Sequence, residues 1–434
     1  MPPVPALRSK PWRRPFKQSG ALSQMMRMAG SLDPRWNNFG NGTSLVTIKA
    51  LPTGLSMRSS PSAGHPGAHD LVAALVLKIF SDRAYLPSGK GHIAMLYPFW
   101  GKNPEDPRDP TSGRYDRYVD TGSRFFEMTT LEKADVAVFP GAWEQVLGDA
   151  AAVKRAEQFL ELARRARKPT VIFFWSDSDQ EVPYDDTLVF RTSCYRSRQR
   201  RNEFAMPAWS EDFVTRYLGG QLPLRFKGER AVVGFCGYAP SFRTGSRTLR
   251  GRLKQAVRGG AKRLLTALGL RKADASIRTT VLRVLAASPV IDANFKMREH
   301  FLGGALLSEG SVDVRKMQQI RQEYVQNTVG SDYVLCARGG GNFSYRLYET
   351  LSCGRIPVFV DTDCVLPFHS EINWKEYCVW VDEKEAKWIG EKVAEFHARL
   401  SNQQFVELQR ACRRLWESHL SPEGFFANFY KHLQ

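Results

Sequence analysis

A chain of 434 residues with 43% hydrophobic residues is long enough for two globular domains of ordinary size. Its formal net charge of +18 favours anionic partners, such as nucleic acid, a membrane surface or an acidic glycan. The sequence lacks the P-loop, nucleophile-elbow and dinucleotide-binding glycine motifs, which leaves kinase, ATPase, hydrolase and dehydrogenase hypotheses without support.

The excess charge belongs to two segments. Residues 1–70 carry a net charge of +7 and residues 243–283 carry +11, which together account for the whole excess. Segment 1–70 lacks hydrophobic periodicity, and we expect a disordered basic arm or an untranslated extension upstream of a later Met. Stretch 246–285 has apolar residues at helical spacing among its basic ones. It is interpreted either as a helix that binds an anionic membrane or as an ordinary surface helix with a solvated basic face.

Short apolar runs alternate with helical patterns between residues 70 and 227. This alternation is typical of a parallel sheet with helices on both faces, which binds ligands in the loops after its strands. The loops in question are 98–122, 140–149 and 176–186. The predicted helices are 70–84, 123–133 and 150–167, and the predicted strands are 92–97, 136–139 and 170–175. Residues 187–226 are predicted to be less regular.

A second α/β unit is predicted after a linker at residues 227–230. Its predicted strands are 231–236, 290–291, 333–337, 356–360 and 377–381, and its predicted helices are 311–327, 345–353, 383–400, 403–418 and 422–433. The predicted organisation is a basic arm at 1–70, an N-terminal α/β domain at 71–227, a C-terminal α/β domain at 228–420 and a C-terminal helix at 421–434.

The most informative stretch is 332–363, which has the pattern of a strand, a glycine-rich turn, a helix and a second strand. Three consecutive glycines, Gly339, Gly340 and Gly341, let backbone N–H groups approach a ligand with no Cβ in the way. Ser344 can cap the helix that follows, and a helix N-terminus attracts anions. The pattern predicts an anion-binding turn.

The glycine turn and the helix that follows it carry two cations and one carboxylate, namely Arg338, Arg346 and Glu349. Cations suit a diphosphate and a carboxylate suits ribose hydroxyls, so the predicted ligand is a sugar nucleotide. Arg346 and Glu349 are three residues apart and share a helix face. The alternative interpretation is a structural turn followed by an intrahelical ion pair.

The run from residue 333 to residue 381 resembles the C-terminal signature of exostosin-like glycosyltransferases, glycosyltransferase family 47. The elements of that signature occur in order: an arginine before the glycine turn, an Arg-Leu-Tyr-Glu helix, Gly-Arg-Ile-Pro-Val, an acidic loop and Leu-Pro-Phe. The resemblance implies a GT-B fold, in which two Rossmann-like α/β domains face each other across a cleft and the C-terminal helix packs back on the first domain. It also implies inverting transfer of a hexose or pentose from a nucleotide-sugar donor, UDP-linked, to a glycan or polysaccharide acceptor.

Two Asp-x-Asp triplets follow predicted strands, Asp177 with Asp179 and Asp361 with Asp363. Oxygen ligands of this kind suit Mg²⁺ or Mn²⁺, although Asp is also common where strands end. By the resemblance, Asp361 and Asp363 line the donor cleft without a metal, because arginines already neutralise the diphosphate. We therefore expect no metal and no other cofactor.

An inverting transferase needs a general base that faces the donor from the first domain. Asp177 and Asp179 lie at the appropriate strand end and are the favoured candidates. The competing carboxylates are Asp106, Asp116, Glu203 and Glu211.

The expected partners are the donor, a glycan or lipid-linked glycan acceptor and an anionic membrane surface, but not nucleic acid. Seven cysteines without zinc-binding spacing favour reduced thiols, and no apolar run approaches the ~20 residues that span a bilayer. The predicted location is the cytoplasm, with peripheral membrane contact. The alternative functions are nucleic-acid binding and binding of a sugar nucleotide without turnover.

Overall fold

Two parallel β-sheets, one in each half of the chain, organise the protein. The structure is a computed structural model that describes residues 76–106, 109, 111–239, 277–305 and 313–433. The predicted arm at 1–70 and most of the basic stretch 246–285 lie outside the described residues. The described residues belong to one compact unit that begins at Leu75, so the two sheets are parts of the same body.

The first sheet has six parallel strands in the order β2-β1-β3-β4-β5-β6. Its strands are β1 (Leu77–Phe80), β2 (Phe126–Met128), β3 (Val136–Val138), β4 (Thr170–Phe174), β5 (Thr187–Arg191) and β6 (Glu203–Ala205). The helices of this half are α1 (Tyr97–Trp100), α2 (Asp116–Thr121), α3 (Ala150–Arg165) and α4 (Phe213–Tyr217). All five residues of the central strand β4 are buried, as expected for a parallel strand that is covered on both faces.

The second sheet has five parallel strands in the order β11-β10-β9-β7-β8. Its strands are β7 (Val232–Tyr238), β8 (Asp292–Arg298), β9 (Tyr333–Cys336), β10 (Ile356–Asp361) and β11 (Val379–Asp382). The helices that follow α4 are α5 (Ile277–Ala287), α6 (Val314–Val329), α7 (Tyr345–Ser352), α8 (Ile389–Arg399), α9 (Asn402–Leu415) and α10 (Pro422–Ala427). The predicted α/β class is therefore confirmed in both halves.

Several predicted elements of the first half are wrong. Residues 70–84 do not form a helix where the chain is described, since β1 is a strand in which Leu77 and Ile79 are buried and Lys78 is exposed. Residues 92–97 are not a strand but lead into α1, where Pro98 occupies the first turn and could not donate to a sheet ladder. Residues 123–133 contain strand β2, which pairs with β1, and not a helix. Strands of three or four residues are too short for their periodicity to identify them.

Two further differences concern strand positions. The strand predicted at 290–291 lies instead at β8, and the region 187–226 contains two strands and a helix that the sequence did not reveal. By contrast, α3 forms where it was predicted, because Asp149 accepts hydrogen bonds from the N–H groups of Ala151 and Ala152 and so caps its N-terminus.

The end of the chain packs on the first sheet, although it follows the second in sequence. Phe426 contacts Phe126 at 6.0 Å between ring centroids, and Phe429 contacts Phe190 at 4.7 Å. Burial of an aromatic side chain contributes roughly 1.5–3 kcal/mol, so this aromatic cluster fixes the two halves of the chain against each other. None of the helices in the described ranges is long and apolar enough to cross a lipid bilayer.

Candidate functional site

The glycine turn joins β9 to α7 and is anchored to the first half of the chain through Asn342. Its backbone N–H donates to Ser193 Oγ at 3.0 Å, and its side-chain amide donates to the Cys194 carbonyl at 3.2 Å. The Asn342 side-chain oxygen accepts a hydrogen bond from Thr362 at 2.6 Å. Asn342 is fully buried, and because its hydrogen-bond partners lie in both halves of the chain, they fix the position of the turn.

Asp177, which follows β4 of the first sheet, lies directly against this turn. A Cβ added at Gly340 would lie 2.7 Å from the Asp177 carboxylate, and one at Gly341 would lie 2.8 Å from its Cα. Real Cβ atoms do not approach so closely, so a side chain at Gly340 would displace the Asp177 carboxylate, and one at Gly341 would displace the Asp177 backbone. The Asp177 carboxylate also accepts a hydrogen bond from the Gly341 backbone N–H. One predicted base and the predicted donor turn are therefore in contact.

Arg346, on α7, lies over the carboxyl end of β7. Its guanidinium carbon is 4.4 Å from the centre of the Phe235 ring, and its Nη2 donates to the Cys236 carbonyl at 3.1 Å. Gly237 has a φ of +152°, and a Cβ at this position would collide with the guanidinium. The backbone of β7 is thus shaped to admit Arg346.

Arg278, on α5, is a third cation beside the glycine turn. A Cβ at Gly339 would lie 3.1 Å from its Nη2, which donates to the Ala337 carbonyl at 3.3 Å. Burial, followed by repulsion from Arg346, lowers the pKa of Arg278 to about 9. An anion bound between Arg278 and Arg346 would relieve that repulsion.

The hydrogen-bonding capacity of these arginines is incompletely used. Arg338 donates only weakly, to the Tyr195 hydroxyl at 3.4 Å. The Nε atoms of Arg278, Arg338 and Arg346 and the hydroxyl of Ser344 are shielded from solvent and have no hydrogen-bond partner among the described residues. Ser344 is the N-cap residue of α7, yet its side chain makes no capping hydrogen bond. Unpaired buried donors are costly, and their convergence on one turn favours a site for an anionic ligand.

Glu349 lies on α7 but does not pair with Arg346. Its Oε1 accepts a hydrogen bond from Arg321 Nη2 at 2.8 Å, and its Oε2 accepts one from the Tyr324 hydroxyl. The residue is only 6% exposed. The structure therefore places this carboxylate between α6 and α7, among other side chains of the protein.

Asp361 and Asp363 connect the loop after β10 to residues 195–197 of the first half. Asp361 pairs with Arg196 at 3.1 Å, and Asp363 accepts hydrogen bonds from the backbone N–H and the hydroxyl of Ser197. Where the chain is described, no three His, Cys, Asp or Glu side chains are grouped as a metal site would require.

The two favoured base candidates differ in their surroundings. Asp179 pairs with Arg198 at 2.8 Å, and both side chains are largely exposed. Asp177 is accessible to solvent, but the protein atoms around it replace part of its hydration and raise its pKa. A carboxylate with a raised pKa is the better general base. The competing carboxylates Asp116, Glu203 and Glu211 are each paired with a cation.

Four residues near the turn were not identified from the sequence, namely Arg114, Glu144, Trp175 and Arg278. The Trp175 indole donates to the Tyr345 hydroxyl at 2.9 Å, and the Arg114 guanidinium lies 5.4 Å from the Trp175 ring. Glu144 accepts the Trp175 backbone N–H at 3.0 Å, and burial raises its pKa to about 7. Arg114 and Glu144 lie in two of the loops predicted to bind ligands, 98–122 and 140–149, which was the one available signal. Arg278 has no such signal, because it lies in the basic stretch.

Comparison with known proteins finds a family to which part of the second half of the chain is similar. Residues 257–395 match the model described as the Exostosin GT47 domain. The chain carries an exostosin-like GT47 domain. That domain includes Arg278, the glycine turn and the whole of α7, and the two parallel α/β sheets agree with a GT-B-like fold.

Animal and plant proteins are among those to which this chain is similar. Exostosin-1 of Drosophila melanogaster is 29% identical over 113 residues, which are 26% of this chain and 14% of that protein. A probable beta-1,4-xylosyltransferase, IRX10L of Arabidopsis thaliana, is 36% identical over 66 residues, 15% of this chain and 16% of that protein. A probable glucuronosyltransferase of Oryza sativa subsp. japonica, Os02g0520750, is 40% identical over 62 residues, 14% of each chain.

The matched segments are short relative to these proteins, since the chain spans 14–16% of the length of each of these three. Among solved structures, a glycosyltransferase from Rickettsia africae ESF-5 aligns with 83% of this chain and 99% of its own, at 9% identity and a TM-score of 0.33.

Proposed function

We propose that the protein is a glycosyltransferase that moves a sugar from a nucleotide-sugar donor, UDP-linked, to a glycan acceptor. The observation that carries the proposal is the glycine turn, where three arginines with unpartnered Nε atoms surround the backbone that Asp177 contacts. The GT47 domain supports the reaction class.

The diphosphate of the donor is the ligand that suits the arginines. Arg278, Arg338 and Arg346 present guanidinium donors to phosphate oxygens, and the glycine turn adds backbone N–H groups at the N-terminus of α7. The same charges stabilise the nucleoside diphosphate as negative charge develops on it during transfer. They make a divalent metal unnecessary, and we propose that the protein works without one.

Asp177 is the group that we assign to the acceptor. It takes the proton of an acceptor hydroxyl as that oxygen bonds to the anomeric carbon, and the bond from this carbon to the diphosphate oxygen breaks. The electron pair of the broken bond leaves with the diphosphate. Attack from the side opposite the leaving group inverts the anomeric centre, as the sequence resemblance implies.

The acceptor and the location complete the proposal. A glycan or a lipid-linked glycan is the proposed acceptor, and the proposed location is the cytoplasm with peripheral contact to an anionic membrane. The support is the sequence itself, in which two basic segments, 1–70 and 243–283, carry the whole excess charge of an otherwise neutral chain.

Thermal-shift titration of the full-length protein with UDP, GDP and their sugars tests donor binding, because a ligand that binds the folded state raises its melting temperature. Arg346→Gln and Arg278→Gln should each weaken nucleotide binding about ten- to hundredfold, since a charge-assisted hydrogen bond contributes roughly 1.5–3 kcal/mol. Arg399→Gln is the matched control, because its side chain is 67% exposed in an ion pair within α8.

Two outcomes would contradict the proposal. If no nucleotide or nucleotide sugar binds, or if both arginine variants bind as tightly as the unaltered protein, the assigned donor site is wrong. If a nucleotide sugar binds and no acceptor of any kind is glycosylated, the protein binds the donor without turnover.

A further inference from the structure

Glu349 is held inside the second half of the chain by two neighbours on α6. Arg321 and Tyr324 each engage one oxygen of its carboxylate. Arg321 also donates through its Nε to Glu211 at 2.7 Å, and Glu211 accepts a further hydrogen bond from the Tyr217 hydroxyl at 2.9 Å. The result is a buried network of two carboxylates, one guanidinium and two phenols between α4, α6 and α7.

One member of this network, Tyr324, also contacts Arg346 of the proposed diphosphate site. The ring of Tyr324 lies 5.8 Å from the guanidinium carbon of Arg346, and Phe235 lies at 4.4 Å from the same atom. Among the residues that the structure describes, Arg346 makes one hydrogen bond to the backbone, from Nη2 to the Cys236 carbonyl. Its place beside the glycine turn therefore depends on the two aromatic rings that support it.

The Tyr324 ring is in turn oriented through its hydroxyl. That hydroxyl donates to Glu349, and the residue is buried on α6 with a pKa raised well above its ordinary value by burial and then by the Glu349 charge. The phenol therefore stays protonated and keeps donating. Replacement of Glu349 with Gln would turn one carboxylate oxygen into an amide NH2 group, which cannot accept a hydrogen bond from either donor. Arg321, the charged donor, would keep the remaining oxygen, and the change would release the Tyr324 hydroxyl, then its ring, and then Arg346.

We infer that Glu349 is a positioning residue, which supports the donor through Tyr324 and Arg346 and does not bind the ribose hydroxyls. This inference rests on the proposed function, because it assumes that the cleft binds a nucleotide diphosphate. It differs from the expectation drawn from the sequence, in which the carboxylate contacts the ribose directly.

The two roles predict different dependence on the phosphates. A ribose ligand contributes equally to the binding of a nucleoside and of its diphosphate. A residue that positions Arg346 contributes only where phosphate oxygens are present. The ratio of diphosphate affinity to nucleoside affinity therefore separates the roles, and a general loss of stability would not change this ratio.

The test measures dissociation constants of UDP and uridine for the full-length protein, or of GDP and guanosine if GDP is the nucleotide that binds. The variants are Glu349→Gln, Tyr324→Phe and the two combined. Each single change should weaken diphosphate binding about five- to twentyfold and leave nucleoside binding within about twofold. The combined variant should lose little more than either alone, because both changes interrupt one chain of contacts. Tyr217→Phe is the matched control, since it removes a phenolic hydroxyl from the same network while the two rings that contact Arg346, those of Phe235 and Tyr324, are left unchanged, and it should bind UDP normally.

A Glu349→Gln variant that loses uridine and UDP affinity equally would overturn the inference, as would a Tyr324→Phe variant with unchanged UDP affinity. Tyr324→Phe keeps the ring and removes only a hydroxyl, so it decides the question even if Glu349→Gln fails to fold. If the unaltered protein binds uridine and UDP with equal affinity, or neither nucleotide binds, the proposed diphosphate site fails and this inference fails with it.

Discussion

Replacement of Asp177 with Asn should strongly reduce the rate of sugar transfer while leaving donor binding intact. The side-chain oxygen of Asn can still accept the Gly341 N–H that the carboxylate accepts now, so the turn should keep its conformation. The amide cannot take a proton from the acceptor. Loss of a general base lowers kcat about 10²- to 10⁴-fold, which corresponds to about 2.7–5.4 kcal/mol in the activation barrier.

Donor affinity should stay the same or improve in this variant, because the change removes a negative charge from the neighbourhood of the diphosphate. The matched control is Asp179→Asn. Asp179 and its partner Arg198 are 43% and 60% exposed, and an exposed pair of this kind contributes about 0.2–1 kcal/mol. The kcat of Asp179→Asn should therefore remain within about fivefold of the unaltered value.

Stability provides a second measurement on Asp177→Asn. The folded protein raises the pKa of Asp177 above its ordinary value of 3.8 by partial dehydration, so the folded state binds this proton more tightly than the unfolded state. The corresponding stabilisation is present below pH 3.8 and is lost as the pH rises through the folded pKa. At pH 7 the ionised carboxylate therefore opposes folding, and the Asn variant should melt no lower than the unaltered protein.

The assay is release of the nucleoside diphosphate in the presence of acceptor, measured between pH 5 and pH 9, with nucleotide affinity measured separately. The acid limb of kcat/KM should depend on Asp177. Glu144, whose pKa burial raises to about 7, is a second carboxyl near the turn that could produce such a limb. If Asp177→Asn keeps its activity, or if the limb disappears in Glu144→Gln instead, Asp177 is not the base.

Three further predictions concern other parts of the molecule. Gly237→Ala should lower the stability by roughly 1–3 kcal/mol, because the φ of +152° at this position strains any residue other than glycine. The change should also weaken UDP binding by displacing Arg346. Normal UDP binding in a folded variant would contradict the placement of that arginine. Burial lowers the pKa of His432 from 6.5 to about 4. Its contribution to the free energy of unfolding is therefore complete above pH 6.5 and is lost as the pH falls toward 4, by up to about 1.4 kcal/mol per pH unit. The melting temperature of His432→Phe should fall less on acidification than that of the unaltered protein, and an equal fall would refute this. Transfer activity should survive EDTA, because arginines neutralise the diphosphate; activity that is lost and then restored by Mn²⁺ would show that a metal takes part.

Local signals in the sequence were sufficient to predict the secondary structure of the segment 332–363. The strand, glycine turn, helix and strand predicted within 332–363 are present as β9, the turn, α7 and β10. Gly354, predicted to end the helix, has a φ of +65° just after it. These elements were predictable because β-branched runs, consecutive glycines and a helix-ending glycine act over a few residues and do not depend on distant partners.

The partners of those residues were decided by tertiary structure alone. Arg278 reaches the turn from a helix about sixty positions earlier, and Asp177 reaches it from the other sheet. Glu349 shares a helix face with Arg346, as its spacing predicted, but the packing of α6 against α7 supplied a closer cation and a phenol. The spacing of residues along a helix predicts which side chains lie on the same face of it. Which neighbour they pair with depends on what the fold packs against that surface, and a buried carboxylate binds the donors that reach it there.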